Sequence, residues 1–285
     1  MSRTWFITGT SSGFGRQMAE QLLARGDRVA ATARRPESLD DLAARHDSRL
    51  WRAALDVADT AALRSTVDAA FQALGRIDVV VSNAGYGLFG AAEEASDAQI
   101  DRQIATNLTA SIHLGRAVIP RLREQGGGRI VQISSAGGLV TFPAMSVYHA
   151  TKWAIEGFWE STAADIAPFG IEVTLVEPGV ARTAFGGSGI DWGAALPAYA
   201  EAPPGILRRM VAGDLPPLPA PGDPAKIAAA IIASADQSPA PRRLLLGSDA
   251  YALTTKALQA RLDAIEAARD VAFSTDADDV IADRG

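Results

Sequence analysis

Tyr148 and Lys152 stand four residues apart, and Ser135 precedes the tyrosine by thirteen. Four residues apart on a helix means one face. A phenol placed there can give a proton to an oxygen that gains charge as hydride reaches a carbonyl carbon, and can take it back when an alcohol is oxidised. Its ordinary pKa of about 10 is high for a base near neutrality. A cation about 4 Å away contributes about 4 kcal/mol at an effective dielectric of 20, nominally some three pKa units, before desolvation opposes it. Lys152 supplies that cation, and it is one of only three lysines, with Lys226 and Lys256, in a chain with 27 basic residues. A compact ammonium can also hold sugar hydroxyls and pass on a proton, which a permanently charged planar guanidinium does less well. Ser135 would donate a hydrogen bond to the substrate oxygen, and only spacing separates it from Ser134.

A second group of residues could hold a dinucleotide. The first apolar run ends in Thr8-Gly9-Thr10-Ser11-Ser12-Gly13-Phe14-Gly15 and a helix follows. In that order glycines let backbone approach a pyrophosphate while the helix N-terminus offers it unpaired N–H groups, so Gly9, Ser11, Ser12, Gly13, Phe14 and Gly15 are candidate cofactor contacts. The spacing is Gly-x-x-x-Gly-x-Gly, not the Gly-x-Gly-x-x-Gly of dinucleotide dehydrogenases at large. Where an NAD enzyme would place a ribose-reading acid, the chain has Thr32-Ala33-Arg34-Arg35. Arginine can hold a 2′-phosphate through charge-assisted bonds, so NADP(H) is the expected cofactor, with Arg34 the first candidate, Arg35 the second and Arg16 a weaker one. Read alone, Asp56 is a helix-capping residue, Asn83 a turn residue and Pro178-Gly179 a turn.

These residues need a scaffold that brings strand ends together. Strand-like runs alternate with helical ones: Thr4–Thr8, Gly15–Arg25, Arg28–Ala33, Leu39–Arg45, Leu50–Leu55, Ala61–Leu74, Ile77–Ser82, Asp97–Arg123, Arg129–Ser134, Tyr148–Ile166 and Ile171–Val176. The rhythm predicts an α/β fold, a doubly wound Rossmann-type parallel sheet with helices on both faces, in a single domain over 1–285. Between 184 and 222 the rhythm breaks, because seven of the 15 prolines fall there, and an irregular apolar substrate flap is expected. Order resumes in a helix over Pro224–Ser234, a strand over Arg243–Leu246 and an amphipathic helix over Ala250–Arg269. The last dozen residues, acidic and ending in glycine, are expected to fray.

Composition narrows the function classes. With no cysteine there is no disulfide, thiolate nucleophile or sulfur-ligated metal. A net charge of -6 with scattered basic residues argues against nucleic acid or an anionic membrane as partner. No leader segment or membrane span is read, so a cytoplasmic protein is expected. His46, His113 and His149 show no ligand grouping, His149 points to a different helix face from Tyr148, and no metal is expected.

With Asn107, twenty-eight positions before Ser135, these residues resemble the Asn-Ser-Tyr-Lys tetrad of the non-extended branch of the short-chain dehydrogenase/reductase family, over about residues 1–183. The resemblance implies catalytic roles for Asn107, Ser135, Tyr148 and Lys152, with Asn107 bending its helix to anchor a water that links Lys152 to solvent. It implies Asp56 and Val57 at the adenine, the Asn83-Ala84-Gly85 turn supporting the sheet beside the cofactor, and Pro178, Gly179, Val180 and Thr183 against the nicotinamide amide. It also implies a small-molecule carbonyl or alcohol substrate, of apolar body as in the hydroxysteroid, retinol and bacterial carbonyl reductase branch. A homodimer through the helices at 97–123 and 148–166 is expected. The alternative reading is an NADP-sensing or scaffold protein that keeps the fold without the chemistry.

Overall fold

The computed structural model describes residues 2–186 and 189–277. Its centre is a seven-stranded, wholly parallel sheet in the order β3-β2-β1-β4-β6-β7-β9. The strands are β1 (Thr4–Thr8), β2 (Arg28–Ala33), β3 (Leu50–Ala54), β4 (Val79–Ser82), β6 (Gly128–Ile133), β7 (Ile171–Pro178) and β9 (Arg243–Leu246). A short parallel pair, β5 (Gly87–Phe89) and β8 (Ile190–Trp192), stands apart.

Alternation along the strands builds two cores, one on each face of the sheet. Trp5 and Ile7 of β1, Val29 and Ala31 of β2, and Val79 and Val81 of β4 pack with Met18, Leu22 and Leu23 of α1 (Gly13–Arg25). Leu42 of α2 (Asp40–His46) joins the same side. Phe6, Ala30 and Val80 point the other way, onto Leu63 and Val67 of α3 (Thr60–Leu74). Because both faces are covered, the strands read as apolar runs and not as alternating ones. The chain leaves β3 at one edge and re-enters as β4 on the far side of β1, so the order in which strands are added reverses between β1 and β4. A crevice at the carboxyl ends of those strands is where ligands of such sheets lie.

The expected helix over Asp97–Arg123 is three pieces: α4 (Asp97–Ile104), a π turn over Ala105–Thr109, and α5 (Ala110–Glu124). The π turn takes the Ala110 N–H to the Ala105 carbonyl, one residue farther than α geometry, and adds a residue to the bend. α6 (Ser146–Ile166) matches the expected catalytic helix. The segment expected to be irregular contains β8 and a helix, α7 (Pro203–Ala212), opened by Pro203-Pro204 and closed by Gly213 at φ 91°. Prolines in the first turn start a helix as readily as they break one, because the N–H groups they lack have no partner there anyway. The rest is α8 (Pro224–Ser234), α9 (Ser248–Ala267) and α10 (Arg269–Phe273). Of the tail expected to fray, residues 278–285 lie outside the described residues. No helix among the described residues is long and apolar enough to cross a membrane.

Candidate active site

The glycine turn is shaped by contacts that only glycines allow. Gly9 has φ 71°, and a Cβ there would stand 2.9 Å from the Ala84 Cα. A Cβ on Gly15 would collide with the Gly9 carbonyl and the Asn83 side-chain amide. That amide donates to the carbonyls of Thr8 (2.8 Å) and Gly9 (3.0 Å), while the N–H groups of Asn83 and Ala84 donate to the Thr8 hydroxyl. Asn83 thus ties the end of β4 to the end of β1, across the switch point. Ser11 and Ser12 are exposed, and Ser12, the N-cap of α1, gives no side-chain cap to the first-turn N–H groups. Those groups are left for an anion, so this turn fits a pyrophosphate. Phe14 packs on the core beneath it.

At the end of β2, Arg34 and Arg35 are exposed, and neither guanidinium is paired among the described residues. Arg16 is otherwise engaged: it bonds to Glu20, the Ser38 carbonyl and Asp41. Of the three arginines considered for a 2′-phosphate, Arg16 is the one that two carboxylates already neutralise. Asp56 is exposed and accepts the Ala58 N–H at 3.0 Å, while Asp59, not Asp56, caps α3. Val57 is buried in the core.

Asn107 sits inside the π turn, 2% exposed. Its amide donates to the Tyr86 carbonyl at 2.8 Å and its oxygen accepts the Tyr86 N–H at 3.1 Å. A Cβ on Gly85 would come within 3.2 Å of that oxygen. The Asn107 side chain therefore holds the strand following Asn83-Ala84-Gly85.

Ser135 lies two residues beyond β6 and caps the turn Ala136–Gly138, its Oγ accepting the Gly137 N–H at 2.9 Å. With that lone pair taken, its own O–H is free to donate. Ser134 is buried on the other side, where a Cβ on Gly138 would touch both its Oγ and the Glu156 side chain. The structure thus separates the two serines as the spacing did. Tyr148 is 5% exposed, and burial pushes its phenol up to about 12 although a hydrogen bond with Ser135 works the other way. Burial also brings Lys152 down to about 8, with the Glu156 carboxylate opposing. Its Nζ donates to the Ile133 carbonyl at 3.0 Å and lies 5.7 Å from the centre of the Tyr148 ring. The lysine was expected to lower the tyrosine; burial raises it instead, with Ser135 as the opposing influence. Beyond Lys152, Glu156 and Glu177 share Arg243 in a buried cluster, and burial pushes the Glu177 carboxyl up to about 7.

Pro178 closes β7, and the Gly179 N–H donates to the Leu246 carbonyl at 2.8 Å. Val180 is exposed, and the Thr183 hydroxyl accepts the Phe185 N–H at 3.3 Å. A Cβ on Gly13 would lie 3.9 Å from Thr183, so the glycine turn and the Pro-Gly segment face each other across one crevice. Three residues not singled out in the sequence also shape the site. Asp249, in the first turn of α9, holds the Val180 N–H. Glu94 anchors the flap by accepting from Ala91 N, Leu196 N and Arg208. Arg208 in turn stacks on Trp192 at 4.6 Å. A Ser-Asp pair after Gly247 carries a helix-start signal, whereas nothing local marks Glu94 for burial.

Residues 3–192 match the family described as short chain dehydrogenase. The chain belongs to that family. A short-chain dehydrogenase from Streptomyces avermitilis superposes with a TM-score of 0.88 at 40% identity, covering 96% of this chain and 98% of that one. An oxidoreductase of Botryotinia fuckeliana is 37% identical over 91% of this chain and 94% of its own. A metagenomic short-chain oxidoreductase in complex with NADP has a TM-score of 0.68 at 27% identity, covering 86% and 97%. In this short-chain dehydrogenase, Ser135, Tyr148 and Lys152 come from the turn after β6 and one face of α6, and together can donate and receive a proton beside a carbonyl oxygen.

Proposed function

We propose that this short-chain dehydrogenase reduces the carbonyl of an apolar substrate with NADPH. The observation that carries the reading is the buried Tyr148 hydroxyl, under the influence of Ser135 and one turn from Lys152. A phenol pushed up to about 12 holds its proton across the physiological range and is the donor that carbonyl reduction needs. Ser135, with its lone pair taken by Gly137, orients the substrate oxygen; Tyr148 delivers the proton to that oxygen; the Lys152 charge favours the phenolate left behind. NADPH, when bound, supplies the hydride. Its phosphates would lie on the α1 N-terminus, its 2′-phosphate at Arg34, and Pro178, Gly179, Val180 and Thr183 would flank the nicotinamide.

The preference for NADPH is supported by Ala33, where no carboxylate opposes a 2′-phosphate, and by the NADP-bound relative. An apolar substrate is supported by the aromatic row leading away from Tyr148: Phe185 at 5.4 Å, then Phe89 at 6.4 Å, then Trp192 at 5.6 Å. A homodimer through α5 and α6 belongs to the same proposal, and light scattering tests it. Oxidation of NADPH and NADH, followed at the nicotinamide absorbance with a panel of aryl and alkyl ketones, tests the reaction. Turnover that requires NADPH is expected. A preference for NADH would overturn the cofactor assignment, and tight NADPH binding without turnover of any ketone would favour a sensor.

A further inference from the structure

His149 follows Tyr148 on α6 and is 4% exposed. Both of its ring nitrogens are bonded to the backbone of the loop that carries Ser135. Nδ1 lies 2.8 Å from the Gly137 carbonyl, and Nε2 accepts the Phe142 N–H at 2.9 Å. A carbonyl can only accept and an amide N–H can only donate, so the backbone selects one form of the ring, neutral with its proton on Nδ1. Gly137 is held at both ends, because its N–H donates to Ser135 Oγ while its carbonyl receives the His149 proton. A Cβ there would stand 2.9 Å from the imidazole, so the loop is moulded on the ring.

We propose that His149 is a positioning residue for Ser135: the neutral imidazole sets the Ser135–Phe142 loop against Tyr148, and protonation of Nε2 releases it. This rests on the reading that Ser135 and Tyr148 together meet the substrate oxygen. His149 and Tyr148 are consecutive on one rigid helix, so a loop clamped to the first is registered to the second. Small displacements of such a pair cost large factors in rate. A proton on Nε2 would face the Phe142 N–H, two donors against each other, and the far end of the loop would have to let go. Burial, the largest influence, lowers the histidine below its ordinary value, with the two backbone bonds opposing. The titratable groups flanking it on α6 are Tyr148, Lys152 and Glu156, and Ser135–Phe142 contributes none. The clamp therefore holds at neutral pH and opens on acidification.

The test compares His149→Phe and His149→Gln with wild type in kcat and KM for ketone reduction between pH 5 and 8, with NADPH affinity measured separately. His149→Phe keeps the ring and loses both bonds, and kcat should fall roughly tenfold or more with NADPH affinity unchanged. In His149→Gln the new side-chain amide can donate to Gly137 and accept from Phe142, so this variant should recover most of kcat and lose the acid limb of the wild-type profile. Wild-type kcat in His149→Phe, or an unchanged acid limb in His149→Gln, would overturn the proposal. If His149→Phe fails to fold, the His149→Gln profile decides alone. Nitrogen-15 NMR of the imidazole gives a readout that needs no turnover: a proton on Nδ1, with the Gly137 amide shifting as the ring titrates, is expected. A ring protonated on Nε2 alone would sink the clamp while leaving the reductase reading intact.

Discussion

Asp249 accepts the Val180 N–H at 2.7 Å, and its carboxylate fills the space that a Cβ on Gly179 would need. The two residues are 69 apart in the chain, yet this bond joins the start of α9 to the turn proposed to flank the nicotinamide. Asp249→Ala removes a charged acceptor, whose bonds are worth about 1.5–3 kcal/mol before exposure discounts them. NADPH affinity should fall by about threefold to tenfold, with the KM for ketone little changed. Titration of NADPH fluorescence checks this, and an unchanged affinity would mean that the turn holds its shape without α9.

The proposed choice of cofactor rests on the end of β2. Ala33→Asp with Arg34→Ala removes a cation and adds an anion, so NADPH binding should weaken by roughly tenfold to a hundredfold relative to NADH. Arg16→Ala, which disturbs only a guanidinium already paired with Glu20 and Asp41, should leave the preference where it was. Ratios of kcat/KM for the two cofactors measure both.

Proton delivery predicts a profile with one sign. Tyr148 keeps its proton to about 12, whereas Lys152 loses its charge as pH rises through about 8. Ketone reduction should therefore decline above about pH 8 while the phenol is still protonated. Tyr148→Phe should cost about 10²–10⁴ in kcat with NADPH still bound. Lys152→Arg should be nearly as damaging, since a guanidinium is too wide for ribose hydroxyls placed for an ammonium. A near-wild-type Tyr148→Phe enzyme would end the catalytic assignment.

The same lysine opposes folding. Its value falls from 10.5 unfolded to about 8 folded, so between those limits the unfolded chain binds the extra proton and stability rises with pH. Below about pH 8 the full cost is present, on the order of 3 kcal/mol. Lys152→Met should be inactive, yet melt higher than wild type at pH 7, and the gap should narrow towards pH 10. Calorimetry across that range decides, and a lower melting temperature at pH 7 would show that the bond to Ile133 outweighs desolvation.

Glu94, 4% exposed, is the anchor of the flap, and its backbone and Arg208 bonds hold its carboxyl below the usual range despite burial. Glu94→Ala should raise the KM for bulky ketones by about tenfold or more, because two N–H groups lose their acceptor and the Arg208 guanidinium keeps the Gly193 carbonyl but loses its carboxylate. NADPH binding should survive. Equal losses for bulky and small ketones would show that the flap serves the whole site.

Much of the site is local and could be read without a structure. The face shared by Tyr148 and Lys152 follows from helix geometry, and the strand-turn-helix at Gly9–Gly15 follows from an apolar run broken by glycines. The π turn at Asn107 was implied only as a bend, because a one-residue insertion in a helix leaves no periodic mark over so few turns. The helix Pro203–Ala212 was hidden by its own prolines, which punctuate loops and begin helices alike.

The sequence by itself determined the parallel sheet, the glycine turn, the absence of a carboxylate at Ala33 and the pairing of Tyr148 with Lys152, because period and spacing act over a few residues. The tertiary structure decided what each charged or polar group is worth. Arg16 is neutralised by Asp41, 25 residues away, Asp249 reaches Val180 across 69, and the His149 proton is assigned by two backbone groups of a separate loop. Tyr148 is raised and not lowered because burial removes the water that would favour its anion. Desolvation and long-range hydrogen bonds depend on which surfaces meet when the chain closes, and no spacing along the chain encodes that.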